Sequence, residues 1–193
     1  MTEAIPAPAT RAVAGVDVPA AGSWTVDAQH AEVGFVGRHF MLTKVRGRFT
    51  GVSGTVTIAD DPADSQVSVS IDMSSLSSGD PQRDAHLKSA DFFEVERHPT
   101  ATFESTEVRW HGTSGSMTGD LTIRQVRRPV TLAIDYVGYA LDPWANHRAI
   151  FSASGTVDRE DWGLTWNMPL ARGGVLVSRE IDLVLELELV LQR

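Results

Sequence analysis

Residues that could do acid–base chemistry are concentrated in one stretch, residues 83–93. Arg83, Asp84 and His86 are of the types that general acid–base catalysis uses, because histidine titrates near neutral pH and a carboxylate accepts protons. An arginine and an aspartate beside a short helix more often form an ion pair that caps it. We therefore interpret this charge cluster as structural. A general base at His86, or at His39 earlier in the chain, is the alternative.

Other reactive patterns are missing from the chain. None of the six histidines is separated from another by close ligand spacing such as H-x-x-x-H, so we predict no metal site. No serine lies in a G-x-S-x-G elbow, and no glycine-rich phosphate loop follows a strand. Cysteine is absent, which excludes disulfides, thiol catalysis and thiolate ligands. We accordingly predict no catalytic residue and no cofactor.

Charge and composition limit the partners further. The net charge of −8 opposes non-specific nucleic-acid binding, which needs a basic surface. The apolar share of 42% and the charged share of 22% are typical of a globular domain. No run approaches the ~18 consecutive apolar residues that a membrane-spanning helix requires.

The elements that must position any site are predicted to be strands. In residues 66–73, Val67, Val69 and Ile71 alternate with polar residues, and residues 181–191 alternate in the same way. Period two places one face in a core and the other in water, whereas a helix would carry such residues all the way round. Further strands are predicted near residues 24–27, 31–40, 45–59, 101–111, 115–124, 129–141 and 147–158. Long antiparallel strands with few helices favour a closed barrel or a sandwich.

One short helix, near residues 81–94, interrupts the strands. Pro81 suits a first helical turn, and Ser78 or Asp80 is a plausible N-cap. Pro99 blocks any further helix before the next strand. A single helix on a barrel indicates a lid or plug, and its Leu87 and Phe92 are expected to face inward.

The N-terminal residues 1–22 are rich in Ala, Pro and Val and show no period. They predict a disordered tail before a single domain over residues 23–193. A secretory signal needs a basic start and an apolar run of roughly 7–15 residues. The first basic residue here is Arg11, and Pro6 and Pro8 interrupt the apolar run. We therefore expect a cytoplasmic protein.

Several short motifs in a fixed order carry a resemblance. They are Trp24-Thr25-Val26-Asp27, His30, Val33-Gly34-Phe35, Arg38-His39, Val45-Arg46-Gly47-Arg48-Phe49, Arg83-Asp84-Ala85-His86-Leu87, Phe92-Phe93, Pro99, Thr102-Phe103-Glu104-Ser105-Thr106, Gly119-Asp120-Leu121-Thr122-Ile123-Arg124, Pro129-Val130, Arg159 and Trp162-Gly163-Leu164. The chain resembles the YceI-like family, the lipocalin-like polyisoprenoid-binding proteins of bacteria. Three positions depart from the family pattern: Ala31, Gln125, and Trp162 in place of a common Phe.

The resemblance implies an extended antiparallel, lipocalin-like β-barrel of about eight strands around an elongated apolar cavity. It also implies a homodimer and a ligand that is an isoprenoid quinone, a prenyl lipid or a similar long-chain amphiphile. The expected ligand-binding residues are Val33, Phe35, His39, Phe49, Leu87, Phe92, Phe93, Phe103, Leu121, Phe151 and Trp162. Judged without the resemblance, Phe92, Phe93 and Phe103 fit a plain core better than a ligand wall, because solid interiors are the default. His39 and Arg38 fit either a lipid head group or a structural hydrogen bond. Trp162, Gly163, Leu164 and Trp166 are expected to form a packed corner or mouth.

The expected function is to bind, carry or store such a lipid without catalysing a reaction. A lipid-modifying enzyme in the same barrel is one alternative. A structural or partner-binding module with a solid core is the other.

Overall fold

A computed structural model of the chain describes residues 8–171 and 173–192. Its strands are β1 Thr10–Val13, β2 Val16–Pro19, β3 Gly22–His39, β4 Thr43–Phe49, β5 Val52–Ile58, β6 Gln66–Asp72, β7 Leu76–Ser77, β8 Thr100–His111, β9 Ser114–Ile123, β10 Val126–Leu141, β11 His147–Asp158 and β12 Glu180–Leu191. The α-helix is α1, Pro81–Lys88, and 3₁₀ helices span Pro62–Asp64, Met73–Ser75 and Arg159–Trp162.

Eight antiparallel strands close into a barrel in the order β3-β5-β6-β8-β9-β10-β11-β12, and β12 pairs back to β3. This confirms the predicted fold. The alternation of residues 181–191 is realised directly, since Leu183, Leu185 and Leu187 of β12 all point to the barrel interior. Closure leaves no free edge on these eight strands, which removes a common route to aggregation.

Strand β3 is shared between two partners. Its first residues, 22–25, pair with β5, and residues 33–39 pair with β4, which in turn pairs with β7. β3 runs continuously where two strands, at residues 24–27 and 31–40, were predicted. The strand does not end between them because a bulge opposite β12 only bends it. The single strand predicted over residues 45–59 instead divides at Gly51. At this point the backbone of Gly51 lies so close to Asp72 that a Cβ added to Gly51 would lie 2.8 Å from the Cβ of Asp72.

Helix α1 begins and ends by side-chain capping. Asp80 is the N-cap and accepts hydrogen bonds from the backbone N–H groups of Gln82 (2.9 Å) and Arg83 (3.1 Å). The hydroxyl of Ser89 donates to the carbonyl of His86 (2.7 Å), and the chain continues in turns. The helix therefore ends at Lys88, earlier than predicted. No helix in the described ranges has the length and apolarity needed to cross a bilayer.

The described N-terminal residues differ from the expected disordered tail. β1 and β2 form a hairpin whose turn residues, Ala14 and Gly15, both have positive φ, as a two-residue hairpin turn requires. Arg11 fastens this hairpin to the barrel by donating to the backbone carbonyls of Ala59 and Asp60. Residues 1–7 lie outside the described residues, and the division of the chain at residues 22 and 23 stays a prediction.

Candidate functional site

The barrel contains a cavity of about 840 Å³. Each of the eight barrel strands contributes apolar side chains to its wall. The volume lies within the range of about 300–1,000 Å³ that is typical of ligand sites. The interior is therefore hollow, whereas an eight-stranded barrel is commonly filled by its own side chains.

All eleven side chains expected to bind ligand lie on this one cavity. They are Val33, Phe35, His39, Phe49, Leu87, Phe92, Phe93, Phe103, Leu121, Phe151 and Trp162. The structure thus brings together residues from four barrel strands, from β4, from α1 and from two connections. Whether each of them touches a ligand stays a prediction.

Aromatic rings form much of the wall near α1. The rings of Phe35 and Phe49 lie 5.7 Å apart, and Phe93 meets Phe49 edge-on at the same distance. His86 packs edge-on against Trp166 at 4.5 Å and against Phe92 at 5.2 Å. Such pairs are favourable beyond the area that they bury, so they stabilise an aromatic wall at this end of the cavity.

The charge cluster of α1 binds the preceding turn. Nε of Arg83 donates to Oγ of Ser78 and Nη2 to the carbonyl of Ser78, both at 2.8 Å. Asp84 accepts from the backbone N–H of Ser78 at 2.7 Å and from its hydroxyl. The cluster therefore has a structural role, as predicted, but the predicted ion pair between Arg83 and Asp84 was wrong. Arg83 and Asp84 hold Ser78 between them instead of pairing with each other.

His39 lies at the end of β3, and its ring packs on Phe40 with centroids 4.0 Å apart. Its backbone pairs with Val177, and the neighbouring backbone N–H of Arg38 donates to Oγ of Ser178 at 2.9 Å. These contacts tie β3 to the connection before β12. Both His39 and Arg38 also line the cavity, so the structure is compatible with either role considered for them.

The connection after β11 contributes two buried polar side chains. Nε1 of Trp162 donates to the carbonyl of Leu121 at 3.0 Å, so the ring packs on the barrel with its polar atom satisfied. Arg159 is only 4% exposed and donates from Nε to the carbonyl of Ser178 at 2.9 Å and from Nη1 to that of Leu164. Burial of this guanidinium lowers the pKa of Arg159, because desolvation disfavours the charged form.

Sequence reasoning missed Arg159 as a site residue. It appeared only as a motif position. Its one local signal was a positive charge three residues before the Trp162-Gly163-Leu164 corner, and that corner packs against the barrel as expected.

One polar cluster contains three side chains close enough together to ligate a metal, those of Asp27, His30 and Glu188. Arg148 lies in the same cluster. Arg148 already supplies positive charge there, since its Nη1 donates to Asp27 and, at 3.0 Å, to Glu188. Burial opposes ionisation of Asp27, but hydrogen bonds, foremost from Arg148, lower its pKa to about 2. The cluster is therefore a compensated ion network that ties β3, β11 and β12 together.

A closed antiparallel barrel with an apolar internal cavity defines the class of β-barrels that enclose small molecules. The chain belongs to the YceI-like family, because the model of the YceI-like domain matches residues 24–189. Among curated relatives, a Pseudomonas aeruginosa protein named "UPF0312 protein" is 37% identical over 163 residues, which are 84% of this chain and 82% of the relative. Protein YceI of Escherichia coli is 36% identical over 168 residues, covering 86% and 85% of the two chains.

Solved structures agree with the fold. BcnA of Burkholderia cenocepacia superposes with a TM-score of 0.71 at 21% identity, covering 84% of this chain and 98% of that one. The YCEI protein of Campylobacter jejuni gives 0.69 at 26% identity, with 81% and 90% covered. A polyisoprenoid-binding domain from Saccharophagus degradans gives 0.63 at 16% identity, with 88% and 98% covered.

Proposed function

We propose that this protein binds and carries a polyisoprenoid, such as an isoprenoid quinone or prenyl lipid, or a comparable long-chain amphiphile. The observation that supports this best is the apolar cavity of about 840 Å³ that runs inside the closed barrel. The description of the Saccharophagus degradans domain as polyisoprenoid-binding agrees with it.

The energetics favour a long apolar chain. Burying hydrocarbon contributes about 0.8 kcal/mol per CH₂, so roughly 20 carbons contribute on the order of 16 kcal/mol. Association and chain ordering oppose binding by ~4–15 kcal/mol. The apolar wall therefore supplies most of the affinity, and polar groups orient the ligand.

Organic extraction and mass spectrometry of protein purified from several hosts test the proposal. We expect a co-purified long-chain lipid, or stoichiometric uptake of an added prenyl lipid by the delipidated protein. If protein from every host contains no lipid and takes up none, the proposal is contradicted and the alternative of a structural or partner-binding module is favoured.

The proposed role is carriage without turnover, and the rival is a lipid-modifying enzyme that uses His39 or His86 as general base. His39→Ala and His86→Ala should reduce lipid affinity only modestly, and no product should form from bound lipid. Loss of a turnover activity by ~10²–10⁴-fold in either variant would support the enzyme.

A cytoplasmic location and a homodimer complete the proposal. Cell fractionation tests the first, and light scattering of the purified protein tests the second. A protein recovered outside the cytoplasm, or a monomer at every concentration, would contradict the corresponding part without affecting lipid binding.

A further inference from the structure

The most unusual polar group in the barrel is the buried guanidinium of Arg159, and we propose that it binds the oxyanion head group of the carried lipid. The head group is a carboxylate or a phosphate. This inference rests on the proposed function and adds the chemical class of the ligand's polar end.

Arg159 has hydrogen-bonding capacity that the fold leaves unused. A guanidinium carries five N–H donors. Nε and Nη1 bind the carbonyls of Ser178 and Leu164, which fixes the side chain in one orientation. Nη2 is buried and has no hydrogen-bond partner within the described ranges, and Arg159 lines the cavity. A buried charged donor without a partner is costly, so a cavity ligand that accepts from Nη2 gains affinity.

The nearby carboxylates are engaged elsewhere. Asp158 and Glu160, on either side of Arg159 in sequence, bind Nη2 and Nε of Arg179 at 2.6 Å and 3.1 Å. The side chain of Arg179 is 60% exposed, so this pairing lies on the surface. Within the part of the chain that the structure describes, no carboxylate forms an ion pair with Arg159. The guanidinium of Arg159 therefore lacks an acidic partner, which favours an anion that arrives with the ligand.

The immediate surroundings suit a head group with a chain attached. The guanidinium carbon lies 5.9 Å from the centre of the Phe92 ring, which compensates a buried cation only partly. Phe92 and Trp162 are apolar neighbours that also line the cavity, so a chain can continue from the charged end along an apolar wall. Charge-assisted hydrogen bonds are roughly twice as strong as neutral ones, which favours an oxyanion over a hydroxyl at Nη2.

Ligands that share a chain and differ in head group test this directly. Binding of hexadecanoate, hexadecanol and hexadecylamine to delipidated protein is measured at pH 8, with geranylgeranyl phosphate and geranylgeraniol as the isoprenoid pair. We expect each anion to bind about tenfold tighter than its alcohol, as one charge-assisted hydrogen bond allows. The amine should bind weakest.

Two variants assign that preference to Arg159. Arg159→Gln should bring the ratio of anion to alcohol affinity close to one. Arg179→Gln removes the same charge from the neighbouring surface and should leave the ratio unchanged. Inorganic phosphate, which has the charge without the chain, should not displace bound lipid. Displacement by phosphate alone would overturn the assignment to a lipid head group.

The outcomes separate this inference from the proposed function. If the wild-type protein binds anion and alcohol equally well, the inference about Arg159 is overturned, but the proposed lipid binding is not contradicted. Binding of none of the chains contradicts the proposed function itself. If Arg159→Gln does not fold, the wild-type ligand series still decides the question, and Arg159→Lys, which keeps the charge, should keep an anion preference.

Discussion

The ring of Phe35 lies against the backbone of Gly47, its paired residue on β4. A Cβ at position 47 would lie 2.2 Å from the Cζ atom of that ring, which no real contact permits. The ring of Phe103 lies in the same way against Gly119, which is not its paired residue but pairs with Ser105, and the corresponding distance is 2.3 Å. In both places a glycine lets a large ring lie along the wall of the barrel. The cavity therefore stays open although its lining is aromatic.

Gly47→Ala should push the ring of Phe35 into the cavity. We expect a loss of about 1–3 kcal/mol in the free energy of unfolding, as for other overpacked interiors, together with weaker lipid binding. Chemical denaturation and lipid titration measure the two effects. The double variant Phe35→Leu with Gly47→Ala removes the bulky ring and should recover part of both losses. Unchanged binding by Gly47→Ala alone would contradict this account of the cavity.

The barrel and its interior face could be predicted from the sequence, because both depend on local alternation. Val67, Val69 and Ile71 are spaced two apart, so their shared face follows from strand geometry alone. The motifs of the family then placed the cavity residues on the correct strands. Those residues lie on one cavity because the register of each strand is set by its apolar face.

Features that depend on distant backbone contacts could not be predicted. Arg159 is buried because carbonyls at Leu164 and Ser178 hold its side chain, and no spacing in the sequence indicates those contacts. The N-terminal hairpin was missed for a similar reason. Its strands are only four residues long and lie within a stretch rich in Ala and Pro, which have low strand propensity, and Arg11 anchors the hairpin to residues 59 and 60, far along the chain.

The Asp27–Arg148 pair should make stability fall in acid. Hydrogen bonds from Arg148 and neighbouring donors outweigh burial and hold the pKa of Asp27 at about 2, below its ordinary 3.8, and Asp142 behaves alike. A group with a lowered pKa stabilises the fold above its unfolded pKa and loses that contribution as the pH falls to its folded pKa. We expect the loss between about pH 4 and pH 2.

Arg148→Met tests this origin of the acid sensitivity. The variant should be less stable at pH 6 and should show a smaller fall between pH 4 and pH 2 in urea unfolding. Arg109→Met, which removes an exposed arginine paired with Glu107, is the control and should follow the wild-type pH profile. Parallel pH profiles for wild type and Arg148→Met would mean that other carboxylates cause the fall.

Phe92→Ala should affect both the fold and the site. The ring is 5% exposed and packs against His86 and Trp166, so its removal should cost ~3–5 kcal/mol of stability. Because Phe92 also lines the cavity, lipid affinity should fall as well. Phe40→Ala, at a ring that is 48% exposed, is the control and should change little in stability. Low stability with unchanged lipid affinity would make Phe92 a plain core residue.

The β1–β2 hairpin should slow the release of bound lipid. Val18 of this hairpin is 2% exposed and lines the cavity at the end of the barrel where β5 terminates, opposite α1. The hairpin is held there by the two hydrogen bonds from Arg11, whereas closure of the barrel depends on the pairing of β3 with β12. Opening of the hairpin can therefore proceed without unfolding of the barrel.

Arg11→Ala should speed that opening while leaving the barrel intact. Loss of charge-assisted hydrogen bonds at a half-buried position predicts lipid dissociation that is about tenfold faster, with the association rate changed less. Stopped-flow release of a fluorescent fatty acid gives the rate, and circular dichroism checks the barrel. Arg127→Ala, which removes an arginine paired with Asp120 on the outer surface, should release lipid at the wild-type rate. If Arg11→Ala also releases lipid at that rate, the ligand leaves by the α1 end, and the hairpin is a fixed floor of the cavity.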